Sequence, residues 1–128
     1  MVPRWSAQLA RGEVCEINGD GETSRDFCFV ANAVQANVLA AAAKASGVVI
    51  NVAVGERTSL NQLYALIRER VAGQRPVAKD LKPVYRPFRA GDIRDSQADT
   101  RCAQELLGYA PTHSIGQGLD ATVASFAR

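Results

Sequence analysis

The sequence predicts a mixed α/β (α+β) fold of about five helices joined by short strands. Three observations carry that prediction. Apolar residues recur at helical spacing in stretches closed by glycine, as with Leu60, Leu63, Tyr64, Ile67 and Val71 before Gly73. Short β-branched or alternating runs, such as VVINVAV at 48–54, sit between turn-forming residues. At 128 residues the chain has the length of one domain, 1–128, with a single core.

The elements follow in order. Pro3, apolar Trp5 and Leu9, and Gly12 beyond Arg11 outline a first helix. Residues 14–17 read as a strand, and the turn 18–24, NGDGETS, leads to a second strand over 27–30. Asn32, whose side-chain oxygen can accept from first-turn amides, is placed as the cap of a second helix. That helix carries Val34, Val38 and Ala42 on one face and ends at Gly47. Residues 48–54 have the pattern of a strand covered on both faces. Ser59 and Gln62 form a capping box for the helix bearing Leu60 to Val71. The polar stretch 74–83 is a loop, and 84–88 is an edge strand because Pro83 and Pro87 have no N–H to give a ladder. Asp99 caps a helix through Leu107 that Gly108 closes, and Ser114 with Gln117 opens a last helix bearing Leu119, Val123 and Phe126.

Composition excludes several classes. Hydrophobic residues make up 47%, charged residues 22% and aromatic residues 6%, so an ordinary globular core is filled largely by alanine and aliphatic side chains. A net charge of +2, scattered without a basic block, gives no nucleic-acid footprint. Cys15, Cys28 and Cys102 are odd in number and far apart, which argues against a disulfide framework or a zinc site and for a reducing, cytoplasmic setting. No apolar run reaches the ~18 residues that span a bilayer, and the opening MVPRWSAQ has no signal-peptide core.

Catalytic signatures are sparse. The sequence has no Gly-x-Gly-x-x-Gly, no phosphate loop and no His-Glu-x-x-His, and its one histidine, His113, reads as a surface residue beside Pro111. No catalytic residue and no metal ligand is expected. Two charged turns remain: Arg25 and Asp26 follow Gly21, and Arg89 and Asp92 flank Gly91, each at a strand boundary. Arginine's planar fork grips phosphate oxygens, glycine admits a ligand close to backbone, and aspartate accepts from sugar hydroxyls. Such a set suits a nucleotide diphosphate. A plainer reading pairs Arg25 with Asp26 or Glu22, and Arg89 with Asp92, in solvated turns.

GDGETSRDF at 19–27, NVAVG at 51–55, FRAGDIRDSQAD at 88–99, LLGYAP at 106–111 and the following GL at 118–119 resemble the carboxyl-terminal part of an extended short-chain dehydrogenase/reductase. Within that NAD-dependent epimerase/dehydratase family the likeness is to bacterial UDP-N-acetylhexosamine and UDP-hexose 4-epimerases, and it runs over nearly the whole chain. The resemblance implies that Arg25 and Arg89 contact the diphosphate of UDP, that Asp92 contacts the ribose and that Asn18 lies beside the uracil. It also implies that Asp26 orients backbone. Two positions depart from the pattern: Glu16 stands where close relatives carry an aromatic residue near the base, and Ala31 where an acidic residue is common.

In the resembled enzymes a tightly held NAD takes and returns a hydride at the sugar. The glycine-rich loop and the Tyr-x-x-x-Lys pair of that chemistry are missing here; Tyr64 and Tyr85 are followed four places on by Arg68 and Arg89, whose pKa is too high for lysine's role. The expectations are therefore no cofactor bound by this chain alone, weak binding of a UDP-sugar and no turnover. The helix before 48–54 and that strand resemble elements that pack on the dinucleotide-binding sheet, which predicts a homo-oligomer or an amino-terminal half acting in trans. A non-enzymatic interaction module on the same scaffold is the alternative, as is one half of a split epimerase.

Overall fold

A computed structural model describes residues 1–126. In chain order they form α1 (Val2–Ala10), β1 (Glu16–Asn18), β2 (Ser24–Arg25), α2 (Val30–Ala42), β3 (Thr58–Ser59), α3 (Leu60–Gln74), β4 (Val84–Arg86), α4 (Arg101–Leu107) and α5 (Ile115–Phe126), with a 3-10 turn at Pro76–Ala78. The mixed fold with five helices is as the sequence predicts.

Pairing is minimal. β1 runs parallel to β4, with Asn18 opposite Arg86, and β2 runs antiparallel to β3, with Arg25 opposite Thr58. A parallel bridge from Ser24 to Asp95 flanks β2 on its other side. Most of the stability comes from packing. α1, α3 and α5 bury Trp5, Leu9, Leu63, Ile67, Val71, Leu119 and Val123 together with Cys15 and Ile17, each large aliphatic or aromatic side chain contributing about 1.5–3 kcal/mol. Trp5 meets Tyr64 edge-on, with ring centroids 5.9 Å apart and planes at 80°. A second, smaller cluster joins α2 to α4 through Ala36, Ala103 and Tyr109, with Leu39, Ile50 and Val52 packed beside it.

The capping signals at three helix ends behave as read. Ser59 Oγ accepts from Gln62 N while Gln62 Oε1 accepts from Ser59 N. Ser114 and Gln117 make the same reciprocal pair ahead of α5, and Gly108 closes α4 in the left-handed conformation.

Other expectations are corrected. Residues 27–30 are not a strand, and the pairing of β2 stops at Arg25. In the antiparallel register that sets Arg25 opposite Thr58, Phe27 falls opposite Glu56, which precedes β3 and belongs to no strand. Asn32 is not a cap. It is the third residue of α2, fully buried, and its Oδ1 accepts from Thr112 N (2.9 Å) and His113 N (3.1 Å) while its Nδ2 donates to His113 O (2.8 Å). It therefore pins the 112–113 loop, and the His113 ring stacks at a tilt on Phe29, 5.0 Å between centroids. α2 ends at Ala42, before Gly47, and its Val34 and Val38 face water. Residues 48–54 form no ladder, and Val49 is 95% exposed. α4 starts after Thr100; Asp99 instead accepts from Arg101 N and pairs with the Arg101 guanidinium.

Three outcomes test this packing. Asn32→Ala orphans three part-buried backbone groups and should cost about 2–4 kcal/mol in urea unfolding, given roughly 1–3 kcal/mol per unsatisfied group. Gly118→Ala sets a Cβ 2.7 Å from Phe29 Cβ, an overpacking that costs about 1–3 kcal/mol. Burial raises the Tyr109 phenol to about 12, so its contribution is complete below pH ~10 and is lost as pH rises through 12. Tyr109→Phe should flatten that alkaline loss in a pH series of unfolding midpoints.

Candidate functional site

β1 carries Glu16 and Asn18 on one side of the strand while Ile17, between them, points into the core. The chain then turns through Gly19 and Gly21, both at φ near +80°. Side chains are excluded there twice over, since a Cβ on Gly19 would meet the Phe88 ring and one on Gly21 would meet the Asn61 side chain. The start of α3 grips this turn: Leu60 N donates to Thr23 O (3.0 Å), Asn61 N to Gly21 O (2.9 Å) and Asn61 Nδ2 to Asp20 O (3.1 Å). Glu22 N and Arg94 both donate to Asp20, holding its carboxyl below the ordinary carboxylate range.

The second charged turn is brought to the first by backbone. Ser24 N donates to Arg94 O (2.8 Å), Ser96 N to Ser24 O (3.2 Å) and Ser24 Oγ to Asp95 Oδ1 (2.7 Å). Arg25 is consequently beside Asp92, with Nη2 to Oδ1 at 3.1 Å, and its Nη1 donates to Ser24 O at 2.7 Å. The ion pair thus joins the two turns, and neither local pair of the plainer reading forms. Asp26 accepts from Val54 N (3.1 Å), Gly55 N (3.0 Å) and Ala98 N (3.3 Å), which is the backbone-orienting role expected of it.

A hollow of about 400 Å3 opens between these elements, and Asn18, Arg25, Arg89 and Asp92 all line it. Small-molecule sites measure roughly 300–1,000 Å3. The two guanidinium groups, remote in sequence, border one concavity. Arg4, Trp5, Glu16, Thr23, Phe27 and Leu60 complete much of the wall. Glu16 is held by Arg86, which donates from Nη2 at 2.6 Å and from Nε at 3.0 Å. Arg4 escaped the sequence reading because no motif marks it; docking of α1 on α3 and α5 is what brings it to the hollow. A larger hollow of about 480 Å3 lies among Phe27, Phe29, Leu63, Ile115, Leu119 and Phe126 and is almost wholly apolar. Lacking charged groups, it offers shape without chemistry. Among the described residues no cluster of three or more His, Cys, Asp or Glu could hold a metal, and no helix is long and apolar enough to cross a membrane.

Comparison with known proteins agrees with this architecture. The family model of the NAD dependent epimerase/dehydratase family matches residues 1–53. A UDP-glucose 4-epimerase of Mycolicibacterium smegmatis is 35% identical over 126 residues, 98% of this chain and 38% of that protein. The crystal structure of UDP-glucose 4-epimerase with UDP-glucose from Thermotoga maritima superposes with a TM-score of 0.88 at 38% identity, over 98% of this chain and 38% of that one. UDP-N-acetylglucosamine 4-epimerase from Methanobrevibacter ruminantium, in complex with UDP-N-acetylmuramic acid, gives 0.87 at 32% identity over the same shares. The chain thus spans a little over a third of the length of each of these relatives. In sequence and fold the chain is similar to the carboxyl-terminal part of extended short-chain dehydrogenase/reductases of the NAD-dependent epimerase/dehydratase family.

Proposed function

We propose that these 128 residues are the sugar-nucleotide-binding part of an epimerase-like protein, holding the diphosphate of a UDP-sugar and performing no redox chemistry by themselves. The observation that carries this reading is the convergence of Asn18, Arg25, Arg89 and Asp92 on one hollow. Arg25 and Arg89 face the phosphates, Asp92 the ribose hydroxyls and Asn18 the base. The four residues form one site in one domain.

NAD, which gives the family its name, does not fit what is here. The described residues hold only two two-stranded ladders, without a strand, glycine loop and helix in succession to take a pyrophosphate. The sequence likewise has no Tyr-x-x-x-Lys. The nucleotide-binding half, with the proton relay, has to come from outside these residues. Three free thiols suit a cytoplasmic setting for that assembly.

A specific surface supports a partner. Val30, Val34 and Val38 recur every fourth residue along α2 at 63%, 55% and 64% exposure, and Val48 and Val49 of the unpaired run add 52% and 95%. A face of this kind marks an interaction site, and an unpaired β-branched run suits the edge of a parallel sheet buried on both faces. The occupant we assign is a nucleotide-binding half. Self-association into a homo-oligomer is the competing outcome, and with no nucleotide response it would favour a non-enzymatic interaction module.

Titration with UDP, followed by amide shifts, tests the site. Two charge-assisted contacts at about 1.5–3 kcal/mol each, with the base and ribose contacts offsetting the association cost, put the Kd on the order of millimolar. Shifts should centre on residues 18–26 and 88–92, and Arg89→Ala should weaken binding about tenfold or more. No shift there at 10-millimolar-scale ligand (~10 mM) removes the reading. For the apolar face, Val34→Lys with Val38→Lys should abolish association with an amino-terminal half in sedimentation, while leaving the UDP shifts in place.

A further inference from the structure

The charges around the hollow do not cancel evenly. Its lining includes three guanidinium groups, Arg4, Arg25 and Arg89, and two carboxylates, Glu16 and Asp92. Both acids are already engaged: Glu16 by Arg86, which stands outside the hollow's lining, and Asp92 by Arg25. Arg25 in turn spends Nη1 on the Ser24 carbonyl and Nη2 on Asp92, so it brings oriented donors to the hollow but little net charge. Arg4 and Arg89 differ. Among the described residues neither guanidinium has an ion-pair partner or a side-chain hydrogen bond, although most of the other arginines are paired or bonded.

A cation on a protein surface is ordinarily left to water, so an unpaired arginine alone means little. Two unpaired arginines on one concavity mean more, because each raises the potential there and a dianion relieves both. A nucleoside diphosphate sugar carries one negative charge on each phosphate. With Arg25 neutralised by Asp92, Arg89 matches only one of them. The resemblance assigns nothing to Arg4, yet Arg4 is the remaining side-chain cation of the wall. It is held there by a rigid element, since its neighbours Trp5 and Ser6 are buried against α3 and α5.

We infer that Arg4 is a diphosphate-binding residue, forming with Arg89 the pair of uncompensated charges that grips the anion. The inference rests on the sugar-nucleotide reading for its ligand, but only the anion is needed for its test. Inorganic pyrophosphate and UDP are titrated separately, by calorimetry at low salt, into the full chain and into Arg4→Ala, Arg4→Lys, Arg89→Ala and Arg75→Ala. Arg75 does not line the hollow and controls for loss of one positive charge at a distance. Arg4→Ala should weaken both ligands about 10- to 100-fold, as Arg89→Ala does, at the roughly 1.5–3 kcal/mol of a charge-assisted contact. Arg4→Lys should recover part of the loss, and Arg75→Ala should stay within about twofold, as screening of remote exposed charge requires. Circular dichroism of Arg4→Ala should match the parent, because an exposed and unbonded side chain is removed.

The outcomes separate the two ideas. Pyrophosphate binding that depends on Arg4 and Arg89, with UDP no tighter, sustains the anion site and removes the nucleotide. UDP binding that Arg4→Ala leaves unchanged, or changes no more than Arg75→Ala does, overturns the role of Arg4 and keeps the nucleotide. Absence of binding by either ligand to the parent chain overturns both.

Discussion

One carboxylate holds the site's framework together. Asp26 follows β2 directly and collects three backbone N–H groups from two distant stretches, Val54 and Gly55 on one side and Ala98 on the other. Each of these amides would otherwise be a part-buried donor without a partner, at a cost of about 1–3 kcal/mol. Because the acceptor is a single side chain at the end of β2, residues 54–55 and 98 are fixed relative to Arg25 with almost no regular sheet between them. Charge-assisted bonds to backbone do here what a wide sheet does elsewhere.

From that anchor the rest of the wall follows. The stretch preceding Ala98 is drawn along β2 through Ser24, which exchanges backbone bonds with Arg94 and Ser96. That alignment sets Asp92 within reach of Arg25 and leaves Arg89 farther round the same turn. On the opposite side, Asn61 at the start of α3 holds the Gly19–Gly21 turn and accepts from the Tyr85 hydroxyl of β4 at 2.9 Å. The glycines matter because Phe88 and Asn61 already occupy the space their side chains would take. Rigidity at the hollow therefore comes from close approach of loops, each tied by side chain to backbone.

The residues that declare themselves in the sequence are those whose role is local. Ser59 with Gln62, Ser114 with Gln117, and Gly108 act within a few residues of themselves, so their spacing alone reveals them. Arg25, Arg89, Asp92 and Asn18 were visible through motif resemblance, which encodes tertiary placement indirectly. What stayed hidden depends on neighbours far along the chain. Asn32 has the chemistry of a cap, but the 112–113 loop offers it three partners at once, and that offer outweighs a helix end. The run 48–54 has the composition of a central strand, yet a strand needs a ladder, and these residues provide none for it. Arg4 carries no pattern at all; the packing of Trp5 on Tyr64 decides where it points.

The polar hollow and the apolar groove share a wall, because Phe27 lines both. Val30, at the first turn of α2, carries that groove onto the exposed valine face. This continuity bears on the weak binding proposed for these residues alone. Arg4 and Arg89 lie open to water, where an ion pair gains little because solvent screens it. A body seated over the valines would exclude water from the neighbouring wall, lower the local dielectric and strengthen the same guanidinium contacts without altering one of them. Under the proposed function, affinity for the nucleotide and affinity for the partner would then rise together, since each ligand would lower the desolvation cost of the other, and linkage makes such a coupling equal in both directions.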